Sequence, residues 1–314
     1  MFHKFSYTQT KMGSPFRIVF FADDEQKTHE LADSCFELVD KYNMIFSDYD
    51  DNSELSKLCA HAGNGWQPVS PPMMDLLLKA SKAWEQSKKT YDITTGPLTK
   101  CWRQARKDKK LPNDTLIREK WLLTGFDKVQ IDTTKQAINL TLKGMELDFG
   151  GIAKGYIARE VLQLLTQSGI RQALVDAGGD MVMSDAPPGK NGWIVGITIP
   201  EHTALLMPKK LSLRHAAVTT SGDAYQYIVH NGKKYSHIID PRTGYAITEQ
   251  KNVTVVATDA SQADWLATAC SILPVPEARA LATSLEASFL ITELKEGKII
   301  THIAGRFPDF WHHS

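Results

Sequence analysis

The stretch Asp148-Phe149-Gly150-Gly151-Ile152-Ala153-Lys154-Gly155 places glycines where an extended run passes into a helical one. Glycines at such a junction let the backbone approach an anion closely, and the free N–H groups and dipole of the following helix favour phosphate. Lys154 would add a point charge there, or face solvent from the first turn. Neither G-x-x-x-x-G-K-[ST] nor G-x-G-x-x-G is present, so a tight structural turn stands as the alternative to a phosphate site. Asp264 and Thr268 lie four residues apart, on one face near the start of a later helix. A carboxylate and a hydroxyl are hard oxygen ligands suited to Mg²⁺, which completes its shell with waters, carbonyls and phosphates. The competing reading is that Asp264 only favours the helix N-terminus and Thr268 only bonds back to the carbonyl four residues earlier.

Two further segments carry reactive types. Ser236-His237-Ile238-Ile239-Asp240-Pro241 puts a histidine on a strand that leads to a loop, where it could act as a general base near neutral pH or sit as a satisfied, partly buried ring. The nearby Thr219-Thr220-Ser221-Gly222-Asp223 offers hydroxyls and amides at a turn. Tyr49, after Phe46-Ser47-Asp48, and Tyr91-Asp92-Ile93-Thr94-Thr95-Gly96-Pro97-Leu98 supply aromatic rings able to stack on a planar ligand and a carboxylate able to accept from ring N–H groups. Core packing is the ordinary use of such tyrosines.

The elements that must position these residues are a mixture of strands and helices. Phe16 to Ala22 reads as a strand after the turn Gly13-Ser14-Pro15. Leu31, Cys35, Leu38, Tyr42 and Ile45 recur at helical spacing to about Phe46. Ser70 and Pro71 punctuate a second helix, with Met74, Leu77, Leu78 and Trp84 on one face and an end near Lys89. Cys101 to Asn113, with Arg103, Arg106, Lys107, Lys109 and Lys110, reads as a solvated helix end and loop or as an electropositive docking patch. Lys128 to Ile131 and Ala137 to Leu142 are strand-like. Met145 to Phe149, a helix from Ala153 to Gln167, and Gln172 to Val175 predict a β-α-β unit. Trp193 to Ile199 predicts a strand, Tyr225 to Val229 and Lys234 to Ile239 a hairpin about Asn231-Gly232, Val253 to Ala257 a buried strand, and Ala263 to Leu273 an apolar helix.

Composition narrows the classes. Lys+Arg 36 against Asp+Glu 36 leaves no surplus of cations for a nucleic-acid backbone, so no nucleic-acid partner is expected. The best apolar run, Phe16 to Ala22, is broken by Arg17 and is far short of the ~18–20 residues of a membrane span. The four cysteines form no C-x-x-C pair and read as structural thiols. Neither a signal peptide nor a lipobox cysteine is visible near the N-terminus. No internal repeat or low-complexity linker divides the 314 residues, which predicts an α+β fold of mixed sheets and packed helices, two lobes forming one catalytic unit over 1–314.

In this order the segments resemble the ApbE family of flavin transferases. The resemblance rests on Met12-Gly13-Ser14, Tyr49 with Ser53-Glu54-Leu55-Ser56, Tyr91 to Leu98, Asp148 to Tyr156, and Asp176-Ala177-Gly178-Gly179-Asp180. It continues through Thr220-Ser221-Gly222-Asp223, Ser236 to Gly244, and Ala263-Asp264 with Thr268-Ala269. It implies a Mg²⁺-dependent enzyme that cleaves the pyrophosphate of FAD, its substrate, transfers FMN to a threonine or serine of an acceptor protein, and releases AMP. By the same resemblance Met12, Tyr49, Thr90, Tyr91, Asp92, Asp148, Lys154 and Ile238 would contact FAD, with Tyr49 stacked on the isoalloxazine. Asp264, Thr268 and the carbonyl of Gly151 would bind Mg²⁺, and His237 would serve as base for the acceptor hydroxyl. Ser261, one turn before Asp264, stands where a further metal ligand could sit. Family members are commonly exported and often lipid-anchored, so an extracytoplasmic location is the expectation the resemblance carries. Two other readings predict different outcomes: an FAD pyrophosphatase giving FMN and AMP, and a flavin-binding protein without turnover.

Overall fold

The computed structural model describes residues 3–198, 206–222, 226–249, 251–295 and 298–312. Ile199, Asp223 and Tyr225, which belong to segments read above, lie outside the described residues. β1 (His3–Lys11) and β2 (Ser14–Ala22) form a hairpin closed by Met12 and Gly13, both at positive φ (50° and 71°), the conformation that a two-residue turn between twisted strands requires. Helices α1 (Glu25–Phe46), α2 (Glu54–Ala60) and α3 (Pro71–Gln86) follow, with the short β3 (Gln67–Pro68) before the last. Next come α4 (Gly96–Asp108), α5 (Asp114–Trp121), the hairpin of β4 (Val129–Asp132) and β5 (Ala137–Leu140), and α6 (Ala153–Gln167). β6 (Ala173–Ala177) turns into β7 (Asp180–Met183), and β8 (Trp193–Thr198) pairs with β9 (Leu206–Leu213) as a separate ribbon. β10 (Ala216–Gly222) leads to the hairpin of β11 (Tyr227–His230) and β12 (Lys233–Ser236). The chain closes with β13 (Lys251–Ala257), α7 (Ala260–Ile272), α8 (Val275–Ser284), β14 (Ser288–Lys295) and β15 (Lys298–Ala304).

Eight strands make one sheet in the order β1-β2-β6-β7-β10-β13-β14-β15, and every neighbouring pair is antiparallel. Both faces are covered, which is why its central strands read as continuous apolar runs rather than as alternation. Phe16, Ile18, Phe20, Val175, Val253, Val255 and Ile291 enter a large core beneath α1, α3, α6 and α7. Val19, Leu174, Met183, Val218, Val256 and Leu290 pack on the opposite face against Trp193, Val195 and Leu211 of the ribbon and against Phe307. Each such side chain, fully buried, contributes about 1.5–3 kcal/mol. A third, small core of Leu98, Trp102, Ile117, Ile239 and Ala246 lies under α4 and α5. All four cysteines are free thiols. Among the described residues no helix is long and apolar enough to cross a membrane.

The α+β class is as predicted, and two local readings are corrected. Met145 to Phe149 joins no sheet, so there is no β-α-β unit. Its alternation arises because Met145, Leu147 and Phe149 are buried while the amides of Leu147 and Asp148 bond to Cys59 Sγ and the Ile93 carbonyl. The predicted α1 stripe does face the large core, with Cys35 and Tyr42 buried and Leu31, Leu38 and Ile45 half-buried against it, and the buried face extends to Thr28, Ala32, Phe36, Val39 and Phe46. The predicted strand from Lys234 stops at Ser236, beyond which the chain makes only an isolated bridge, Ile239 to Ala246. The helix punctuation holds: Ser70 Oγ accepts from the Met73 amide at 3.4 Å and Pro71 opens α3.

Candidate active site

A cleft of about 880 Å³ opens beside the junction of α6, α7 and the loop after β12. Eleven of the twelve residues expected at the site line it: Met12, Tyr49, Thr90, Tyr91, Asp92, Asp148, Gly151, Lys154, His237, Ile238 and Thr268. Asp264 is set one layer behind, fully buried in α7.

Close helix contact brings the oxygen donors together. A Cβ on Gly155 would lie 2.2 Å from the Ala260 carbonyl oxygen, so only glycine allows α6 to meet the first turn of α7. That approach lets the Gly155 amide donate to Asp264 Oδ2 at 3.1 Å. A Cβ on Gly151 would lie 2.9 Å from Thr268 Oγ1, which places the Gly151 backbone against the Thr268 hydroxyl. In α7 only Gln262 and Thr268 are not buried, and Thr268 opens into the cleft. Asp259, not Asp264, caps α7, accepting from the Gln262 amide at 2.8 Å, and Ser271 rather than Thr268 bonds back to the preceding turn.

The glycine junction is not the open phosphate cradle that the sequence suggests. The Gly150 amide donates to Asp148 Oδ1 at 2.8 Å, the Ile152 and Ala153 amides to the Phe149 carbonyl, and the Gly155 amide to Asp264. Most of its donors are therefore spent within the protein, and the glycines serve close packing instead. Lys154, half-buried at the cleft, does not stand free: its ammonium pairs with the buried Asp180 carboxylate. Burial opposes that charge, but Asp180 and Asp264 outweigh it and hold the Lys154 pKa above its ordinary value. Burial first, and the charge of Asp180 second, push the Asp264 carboxyl well above the usual carboxylate range.

Asp92 is committed internally. Its Oδ1 accepts from the Thr94 amide (2.8 Å) and hydroxyl (2.6 Å), and its Oδ2 from the Phe126 amide (3.2 Å). Burial raises its pKa against those bonds. Tyr91 is buried rather than offered on a loop, tilted on Trp265 at 6.0 Å, and its hydroxyl has no hydrogen-bond partner among the described residues. The Ile238 backbone is likewise engaged, its amide with Ser236 Oγ and its carbonyl with the Ile247 amide. His237, beside it, is anchored from outside: the indole of Trp102 donates to the Gly244 carbonyl at 3.0 Å and that of Trp121 to the Pro241 carbonyl at 2.9 Å. The loop of the histidine is thereby tied to α4 and α5.

Asp48, Arg103, Arg106 and Asp180 were named in the sequence reading but not among the expected site residues. Arg103 and Arg106, read as part of a solvated helix end or an electropositive docking patch, both line the cleft, and Arg103 pairs with Asp48 at 2.9 Å. Their spacing of three on a helix that starts at Gly96-Pro97 was the available signal, since it puts both on one face.

Does this donor set suit a metal? Among the described residues no group of three or more His, Cys, Asp or Glu side chains could hold an ion. The set here is of another kind: one carboxylate, one hydroxyl and a backbone carbonyl, all oxygen, with the buried Ser261 Oγ lacking a hydrogen-bond partner one turn before Asp264. Oxygen-only donors and carboxylates that outnumber the lining cations fit a hard divalent cation such as Mg²⁺. They do not suit an anion arriving alone.

An antiparallel α+β protein whose cleft joins hard oxygen donors, a paired lysine, an exposed tyrosine and an anchored histidine has the features of a group-transfer enzyme for a large anionic ligand. The ApbE family model matches residues 12–291. A FAD:protein FMN transferase of Klebsiella pneumoniae is 32% identical over 261 residues, covering 83% of this chain and 79% of that protein. One of Treponema pallidum is 29% identical over 293 residues, covering 88% and 81%. The crystal structure of the ApbE protein of Thermotoga maritima superposes with a TM-score of 0.89 at 27% identity, covering 99% of this chain and 100% of that one. The chain belongs to the ApbE family.

Proposed function

We propose that the protein transfers FMN from FAD to a threonine or serine hydroxyl of an acceptor protein in a Mg²⁺-dependent reaction that releases AMP. Family membership and the names of its relatives support the flavin transferase class and FAD as substrate. The observation that carries the finer reading is one cleft lined both by the Gly151–Thr268 oxygen donors, with Asp264 behind them, and by His237. Residues from Met12 to Ile272 line it, which supports reading the chain as one catalytic unit.

Asp264, Thr268 and the Gly151 carbonyl would hold the Mg²⁺, which when bound offsets diphosphate charge as AMP departs. The remaining work falls to side chains. Lys154, kept protonated by Asp180, adds a fixed positive charge beside the α6 terminus. Tyr49 presents its ring at the rim for stacking. His237, held by its loop, takes the proton of the acceptor hydroxyl as that oxygen bonds to the FMN phosphorus and the bond to AMP breaks.

The test is to incubate the protein with FAD, Mg²⁺ and candidate acceptor domains, then weigh each acceptor and measure AMP. An FMN adduct with matching AMP is expected. FMN and AMP without an adduct on any acceptor would replace this reading with a pyrophosphatase, and bound FAD without AMP would replace it with a carrier.

A further inference from the structure

Tyr49 is 77% exposed, yet one face of its ring is already occupied: the guanidinium carbon of Arg103 lies 4.1 Å from the ring centroid. The guanidinium is held in turn by Asp48, Nη2 to Oδ2 at 2.9 Å, with side chains only 21% and 16% exposed. The backbone beneath is pinned as well. The Tyr49 amide donates to Ser47 Oγ, and Ser53 Oγ, the cap of α2, donates to the Ser47 carbonyl at 2.6 Å. What orders the ring beyond that fixed backbone is the contact with Arg103.

We infer that Arg103 is a positioning residue for the flavin: clamped by Asp48, it backs one face of Tyr49 and fixes the ring so that the opposite face receives the isoalloxazine. This rests on the flavin reading of the cleft. Guanidinium, phenol and flavin then stack as three layers. A ring ordered beforehand loses less freedom when a ligand stacks on it than one that rotates in solvent. The planar, delocalised guanidinium is suited to this in a way that an ammonium is not. Burial and the nearby Asp148 act to raise the Asp48 carboxyl, and the pairing with Arg103 acts to keep it ionised. Asp48, Tyr49 and Arg103 thus form one unit drawn from two segments of the chain.

The experiment is FAD titration followed by flavin fluorescence quenching, with steady-state transfer kinetics, on Arg103→Ala, Arg103→Lys, Asp48→Asn, Tyr49→Ala and the Tyr49→Ala/Arg103→Ala double variant. Lys107→Ala, which removes an exposed cation from the same helix, is the control. Both Arg103 variants are expected to raise the FAD Kd and KM about fivefold, to shift kcat by less than about twofold, and to reduce quenching at saturation. Asp48→Asn should move the same way by less, and Arg103→Ala should add nothing once Tyr49 is gone. Wild-type affinity in Arg103→Lys would overturn the inference in favour of simple charge attraction, as would an equal loss in Lys107→Ala. An undiminished effect of Arg103→Ala in the Tyr49→Ala background would overturn it too. If the wild-type protein fails to bind FAD at all, it is the flavin reading that falls.

Discussion

Replacing Gly155 by alanine sets two elementary effects against each other. Within a helix alanine is preferred to glycine by about 0.5–1 kcal/mol on backbone entropy alone. Packing opposes this, because the new Cβ would lie 2.2 Å from the Ala260 carbonyl oxygen and 3.1 Å from Asp264 Cβ. Carbon contacts settle near ~3.5 Å or beyond, so α6 and α7 would have to part by on the order of 1 Å. The obstacle is backbone, which cannot swing aside as a side chain does. Overpacking of this kind costs about 1–3 kcal/mol. Drawing the Gly155 amide away from Asp264 leaves a buried carboxyl oxygen short of a donor, about another 1–3 kcal/mol. After the helix preference is subtracted, the net loss is about 3 kcal/mol, about 5 °C in Tm for a chain of this size. Thermal unfolding followed by circular dichroism, with Mg²⁺ and with EDTA, measures it, and stabilisation by Mg²⁺ should shrink in the variant. A Gly155→Ala protein that melts at or above the wild-type temperature would refute the reasoning, since propensity would then have outweighed the clash.

His237→Ala should slow transfer by about 10²- to 10⁴-fold while FAD affinity stays within about threefold; a normal transfer rate would remove the histidine from its assigned role. Asp264 carries a pH signature. Its folded pKa lies well above 3.8, raised first by burial and then by Asp180, while Lys154 and the Gly155 amide act against the rise. The folded state therefore binds that proton more tightly than the unfolded chain does. Metal-free stability should fall as pH rises from about 3.8 through the folded pKa. Asp264→Asn should flatten that fall and abolish the gain in Tm on adding Mg²⁺; melting curves across pH that match the wild type would contradict both.

Local structure was legible wherever one residue type has one conformational use. Asn231 and Gly232 take φ of 50° and 74° in a two-residue hairpin turn, and Ser70-Pro71 starts a helix as such pairs do. Of the twelve site residues that the family resemblance implied, eleven line one cleft and Asp264 lies behind it. What sequence could not supply was the use of those groups by the protein itself. The Asp92 oxygens are claimed by Thr94 and Phe126, and Lys154 by Asp180, partners set by the sheet and the helix packing. The pairing of Arg103 with Asp48 was not legible because the two stand 55 residues apart in sequence. Met145 to Phe149 was misread because one-sided burial yields the same alternation whether or not a neighbouring strand exists. The strands after Leu273 carry a signal like that of Val253 to Ala257, with Phe289 and Ile291 on one face and Leu290 on the other.

The third core bears on what each wall of the cleft rests on. Leu98, Trp102, Ile117, Ile239 and Ala246 pack apart from the large core. α4, α5 and the histidine loop, joined by the two indole hydrogen bonds, share it, so a single small cluster supports both Arg103 and His237. Gly151, Asp264 and Thr268 are set by α6 and α7 in the main core. The two walls of the cleft thus stand on separate foundations, and Asp48, pairing with Arg103, ties one to the other.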